Sequence, residues 1–274
     1  MPPKIHTYAS LPEAFFVNSF VVEGAAGLVL IDTQFLLSSA RELVAMMAAL
    51  GKPLEAIIIT HPHPDHFNGL PTVLEAFGPV RVYATAATIA GITASQGDKR
   101  AAWTPVYGAD YPPTDAVPDH RLSLDETVTL AGIDFRIVDL GPGESADITV
   151  IHIPDADTLI VSDMVYNRSH PWMAEHRTDA WLAQIARVQA DFPAVTHVLP
   201  GHGVAGGREL LDEQRAYIEQ FRALVAAHAR DGALDDAALA AIRAATTAGR
   251  EGWPLDMLIS MNAAAFAAEG ARPQ

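Results

Sequence analysis

The chain has no cysteine among its 274 residues. Disulfides and thiolate ligands are therefore excluded, and any bound metal must be held by histidine and carboxylate side chains. Lysine is almost as scarce, occurring only at positions 4, 52 and 99 within a net charge of −15 and a pI near 5.0. Such a surface disfavours a phosphate backbone, which is gripped by clustered Lys and Arg, so no nucleic-acid partner is expected. No apolar window reaches the length of a membrane span, and Met1-Pro2-Pro3-Lys4-Ile5-His6 lacks the apolar centre of a signal peptide. A cytoplasmic location with no membrane partner is the expectation. The chain also lacks a Gly-x-Ser-x-Gly elbow, so no serine nucleophile of that kind need be invoked. Half of the residues are apolar, enough for a sizeable core in one large domain or two small ones.

Against that plain background one stretch stands out. His61-Pro62-His63-Pro64-Asp65-His66 places four strong metal ligands within six residues, directly after the apolar run Ile57-Ile58-Ile59-Thr60. The run reads as a buried strand, and a His-x-His pair on extended backbone points both rings to one side. The prolines remove backbone donors and fix φ, which predicts a stiff loop rather than a continuing strand or a helix. An internal, strand-flanked cluster is not a purification tag, and a solvated His-rich turn is the weaker alternative.

The rest alternates. Short runs over 15–22 and 27–31 read as a hairpin ended by Asp32-Thr33, and apolar spacing over 36–50 predicts a helix stopped at Gly51. A helix over about 68–77 and a strand over 80–83 follow. Residues 95–120, with Trp103, Tyr107, Tyr111 and several prolines, show no sustained period and read as a long loop, either a lid or a packed surface loop. Two hairpins are expected over 127–140 and 148–161, then a helix over 179–191 and a strand over 197–199. From Gly207 onward the chain reads as helical, and 230–274 is taken as a C-terminal helical extension of a single domain spanning 1–274. Two comparable halves of strands and helices suggest two sheets covered by helices on both sides.

Metal sites in such folds collect ligands at the ends of successive strands. Three later strands end suitably: Leu140-Gly141-Pro142-Gly143-Glu144, Leu159-Ile160-Val161-Ser162-Asp163, and Val198-Leu199-Pro200-Gly201-His202-Gly203. Each alone is weak, since a strand-terminal Asp is commonly a cap. Their joint occurrence after the first cluster is not.

These motifs, spread over roughly residues 10 to 225, resemble the metallo-β-lactamase-fold hydrolase superfamily, specifically its lactonase and glyoxalase II-like branch. The resemblance implies an αββα four-layer sandwich, an α/β (α+β) fold with two mixed β-sheets flanked by helices and a dinuclear centre between them. It implies that His61, His63 and Glu144 hold one ion, that Asp65, His66 and His202 hold another, and that Asp163 bridges. Most members carry histidine where this chain has Glu144. Either Glu144 is a ligand, or the position is vacant or replaced by Asp147 or His152, the last reading better as a core histidine. A carboxylate there favours harder ions, so iron or manganese is considered beside two Zn2+.

By the same resemblance, Asp65 orients a metal-activated water as well as ligating. Tyr166 either donates to a substrate carbonyl or is simply packed. Arg168, His170 and Trp172 either line the pocket or lie on the surface. The expected function is hydrolysis of a small carbonyl substrate: a lactone, thioester, ester or lactam. The alternatives are an iron-dependent oxygenase of persulfide-dioxygenase type and a non-catalytic metal-containing binding or sensing protein. A small molecule is the expected partner, with a homodimer left open.

Overall fold

Side-chain alternation along the strands decides the layering. In the computed structural model, which describes residues 2–123 and 125–270, the chain runs β1 (Lys4–Ala9), β2 (Asn18–Glu23), β3 (Leu28–Ile31), α1 (Leu37–Ala49), β4 (Leu54–Ile58), α2 (Pro64–Phe67), α3 (Leu70–Phe77), β5 (Arg81–Ala84) and α4 (Ala86–Tyr107). It continues through β6 (His120–Arg121), β7 (Thr127–Leu130), β8 (Ile133–Asp139), β9 (Thr149–Ile153), β10 (Thr158–Asn167), α5 (Thr178–Asp191), β11 (His197–Gly203), α6 (Glu209–His228), α7 (Asp236–Thr247) and α8 (Met257–Gly270). Both ends of the expected 1–274 domain, and the last four residues of the expected 230–274 extension, lie outside the described residues.

The first sheet has the order β1-β2-β3-β4-β5-β6 and the second β11-β10-β9-β8-β7, each mixing parallel and antiparallel pairs. Phe20, Val22, Val29, Ile31 and Ile58 point inward to meet Phe135, Ile137, Ile151 and Ile160 of the facing sheet. Their neighbours Val21, Leu28, Leu30 and Ile57 point outward, onto Leu43, Met47, Leu70 and Val73 of α1 and α3. Leu159 and Val161 do the same for Trp181, Ile185, Leu211 and Phe221 of α5 and α6. Period-two strands buried on both faces thus give four layers, the αββα sandwich that was expected.

Three local expectations are corrected. The first hairpin begins at Asn18 and not Phe15, because Phe15 and Phe16 adopt left-handed φ of 66° and 58°, outside any strand. The segment after His63 is not wholly a loop: Pro64 opens the one-turn helix α2, a position where its missing N–H costs nothing. The stretch 95–107 is not irregular either, since α4 runs through it with Pro105 in its last turn. Trp103 and Tyr107 stand one helical turn apart, and with Tyr111 they pack edge-on around Phe35 at ring distances of 5.7, 5.2 and 5.6 Å. That burial holds the helix together up to the proline. Residues 111–119 are irregular.

Candidate metal centre

Seven side chains from five parts of the chain converge where the strand ends of the two sheets meet. The loop after β4 supplies His61 and His63, and α2 supplies Asp65 and His66. The glycine turn after β8 supplies Glu144, β10 supplies Asp163, and β11 supplies His202. Two groupings result: His61, His63, Glu144 and Asp163, and Asp65, His66, Asp163 and His202, with ligand atoms within 4.8 Å of one another. Asp163 belongs to both. Asp147 and His152 belong to neither. The Asp147 carboxylate instead accepts from Thr88 Oγ1 at 2.8 Å and from Thr85, and the His152 ring packs 4.9 Å from Phe192.

The backbone is bent to make this possible. Ser162 takes a left-handed φ of 48°, and the β10–β11 register shifts on both sides of it, which turns Asp163 inward. Gly201 is required beside it, because a Cβ there would lie 1.8 Å from Asp163 Oδ1. Asn18 of β2 donates to the carbonyls of Pro200 and Gly203 at 2.9 and 2.7 Å, tying the first sheet to the strand that carries His202.

Every imidazole is braced at one nitrogen and turns the other inward. His66 Nδ1 donates to Asp32 Oδ2 at 2.7 Å, His202 Nδ1 to the Phe15 carbonyl at 2.8 Å, and His63 Nε2 to Glu175 Oε1 at 2.9 Å. His61 Nδ1 lies 3.0 Å from Thr60 Oγ1, whose own proton goes to Asp32 Oδ2 at 2.8 Å. The inward atoms are close: His66 Nε2 is 3.1 Å from Asp163 Oδ1, and His202 Nε2 is 3.3 and 3.4 Å from Asp163 and Asp65. His61 Nε2 is 3.6 Å from Asp163 Oδ2, and His63 Nδ1 is 3.6 Å from Glu144 Oε1. Donors about 2.1 Å from a tetrahedral ion lie roughly 3.4 Å from one another, so this spacing fits one. His61 Nε2, His66 Nε2, Glu144 Oε2 and Asp163 Oδ1 are buried without a hydrogen-bond partner. Orphaned buried donors and acceptors are costly, and four at one point are what a cation would satisfy. Asp32, His61 and His66 also cluster, but Asp32 is occupied by Thr60 and His66 and acts as a brace.

Charge is unevenly arranged. Burial works against a charged His202, but Asp163 and Asp65 outweigh it and hold the ring up to about 10. Burial likewise opposes His63, which Glu144 and Glu175 hold up to about 9. Burial pushes His61 well below its ordinary value and Glu144 up to about 8. Asp163 is buried too, yet the His66, His202 and His61 rings draw it well below the carboxylate range.

Tyr166 reaches this centre. Its hydroxyl donates to Asp163 Oδ2 at 2.7 Å and lies 3.1 Å from Glu144 Oε1, and its ring stacks on His202. A cavity of about 210 Å3 opens onto the cluster, lined by Asp65, Asp163, Tyr166 and His202 on one side and by Phe15, Lys99, Trp103, Trp172, Leu255, Met257, Leu258 and Met261 elsewhere. Trp172 therefore faces the pocket, whereas Arg168 and His170 do not line it. Arg168 is exposed, and His170 is buried on Tyr217, its Nδ1 2.7 Å from the hydroxyl. The braces Asp32 and Glu175 were not anticipated. In the sequence Asp32 follows an apolar run as Asp163 does, so the same rule pointed at it. Glu175 carries no local signal.

Comparison with known proteins identifies the family and the fold. A family model described as the metallo-beta-lactamase superfamily matches residues 12–217. The chain is 30% identical over 108 residues to a metallo-beta-lactamase type 2 of Bacteroides fragilis, covering 38% of this chain and 43% of that protein. It is 28% identical over 232 residues to a linear primary-alkylsulfatase of a Pseudomonas species, covering 70% of this chain and 43% of that protein. The chain thus spans less than half the length of either relative. Among solved structures, a beta-lactamase domain protein from Burkholderia ambifaria superposes with a TM-score of 0.74 at 20% identity, over 97% of this chain and 86% of that one.

Proposed function

The chain belongs to the metallo-beta-lactamase superfamily, and from that premise we propose that it is a metal-dependent hydrolase of a small carbonyl compound: a lactone, thioester, ester or lactam. One observation carries the reading: seven buried or half-buried ligand side chains meet, each imidazole braced from behind and four inward atoms left without a hydrogen bond. His61, His63 and Glu144 would hold one divalent ion, Asp65, His66 and His202 a second, and Asp163 both. Zinc suits this imidazole and carboxylate set, and the carboxylates also admit iron or manganese. When bound, the metal supplies an activated water and polarises the reacting oxygen of the substrate.

The chain's own groups do the rest. Asp65 resists protonation, since burial is outweighed by the His66 and His202 rings, so it stays a carboxylate able to accept a hydrogen bond from a water and orient it. Tyr166 is held protonated by burial and by Asp163 and Glu144. A phenol that keeps its proton can donate to a developing oxyanion. The apolar lining lowers the local dielectric, which strengthens both interactions.

A second reading has its own support. Lys99 lines the pocket and has no ion pair among the described residues, so it offers an ammonium to an anionic ester, and one relative is named an alkylsulfatase. The test is elemental analysis of protein purified without added metal, followed by lactone, thioester, ester, β-lactam and alkyl sulfate panels. Turnover that chelation abolishes supports hydrolysis. Preference for the sulfate, lost in Lys99→Gln, selects the second reading. Bound iron with oxygen uptake, or blank panels at full metal occupancy, would overturn both.

A further inference from the structure

We propose that α8 and the segment leading into it form the substrate-selecting wall of the pocket, and that this wall receives a linear apolar chain on the substrate. The proposal rests on the hydrolase reading above and adds the shape of what is hydrolysed.

The matched family region ends at residue 217, yet Leu255, Met257, Leu258 and Met261, all beyond it, line the same cavity as Asp65, Asp163 and His202. These four are matched across the pocket by Phe15 and Trp103, which pack on each other with ring centroids 5.8 Å apart. The polar end of the cavity is the metal centre, and the rest of the lining is apolar apart from Lys99. A substrate that fills it is therefore reactive at one end and greasy at the other.

The wall is fixed in register with the chemistry. Asn262 of α8 is fully buried, its Oδ1 accepting from the Met173 amide at 2.8 Å and its Nδ2 donating to the Pro171 carbonyl at 2.8 Å. The His170 amide donates to the Pro254 carbonyl at 3.1 Å, and the His170 ring bonds Tyr217 of α6. So α8 grips the loop over 170–175. That loop carries Trp172 into the pocket and Glu175 onto His63. The extension is thus tied to the metal centre through two short hydrogen-bonded steps.

Shape narrows the ligand. The cavity, about 210 Å3, has room for a short flexible chain. Met257 and Met261 are 53% and 52% exposed, a large apolar surface left open at the rim. Unbranched thioether side chains adjust to a flexible chain better than branched ones do.

The test compares p-nitrophenyl acetate and p-nitrophenyl octanoate turnover by the metal-loaded protein with direct binding of acetate and octanoate, read by tryptophan fluorescence. Met257→Gln combined with Met261→Gln changes two exposed helix positions to another good helix former, so folding survives and circular dichroism checks it. The octanoate-to-acetate ratio of kcat/KM, and the matching ratio of binding constants, should exceed one and fall roughly tenfold in the double variant. Turnover with a ratio that the variant does not move overturns the wall and leaves the hydrolase reading standing. Octanoate binding that the variant weakens, with no turnover of these esters or of the lactone, thioester, β-lactam and alkyl sulfate panels, keeps the wall and sinks the hydrolase. The absence of both a binding preference and a chain-length dependence overturns the wall outright.

Discussion

His61, His63 and Glu144 on one side of Asp163, and Asp65, His66 and His202 on the other, offer the same donors: two imidazoles and a carboxylate, with Asp163 common to both. What differs is how each side is braced and where its protons sit. On the second side His66 leans on the fully buried Asp32, and His202 on a backbone carbonyl. On the first, His63 leans on Glu175, whose side chain is 26% exposed and reaches in from a loop. Burial drives Glu144 toward its neutral form, whereas Asp65 and Asp163 stay charged against cationic rings. Equal donor sets are therefore not equal sites: the second is rigid and gives up protons only from its imidazoles, whereas the first must also lose a carboxyl proton to bind.

The largest expected effect comes from removing what the two sides share. Asp163→Ala should lower metal retention by more than about a hundredfold, seen as near-zero metal by elemental analysis while the helical circular dichroism persists. A variant that still carries its full metal complement would break the comparison at its centre.

Next come the braces. Asp32→Asn should weaken metal binding about ten- to a hundredfold, since the brace is buried and also holds Thr60. Glu175→Gln keeps a hydrogen-bond acceptor at a more open position and should cost less than tenfold. Chelator competition measures both, and equal losses would erase the distinction between rigid and open sides.

Protonation sharpens it further. His202 held up to about 10, His63 to about 9 and Glu144 to about 8 all carry protons at neutral pH, so metal must displace them. Affinity should then rise with pH between 6 and 8, by about tenfold per unit for each proton displaced, and fall as the solution is acidified. Proton release on metal addition in weakly buffered solution checks the sign, and uptake instead of release would contradict it. The smallest effect is expected from Glu144→His, which exchanges a carboxylate for an imidazole. It should shift zinc over manganese preference severalfold in a competition assay, and no shift would place Glu144 outside the ligand set.

Legibility in the sequence tracked distance along the chain. His61, His63, Asp65 and His66 were readable together because one strand end presents them all. Glu144, Asp163 and His202 were readable because each closes an apolar run, and the structure brings all three to the same point. Helix α4 was not, because Pro105 masked the one-turn spacing of Trp103 and Tyr107, and only packing on Phe35 reveals why the helix persists. The braces on His63 and His202 were invisible in principle, since their partners lie 112 and 187 residues away.

By itself the sequence determined the donor chemistry: no thiolate, an excess of acid, and histidines and carboxylates placed at strand ends, because residue type and local period are properties of neighbours along the chain. Only the tertiary structure decided which nitrogen of each ring faces inward, which carboxylate is shared, and which distant helix walls the pocket. Those are set by contacts between segments hundreds of ångströms apart in an extended chain, and no local pattern encodes them.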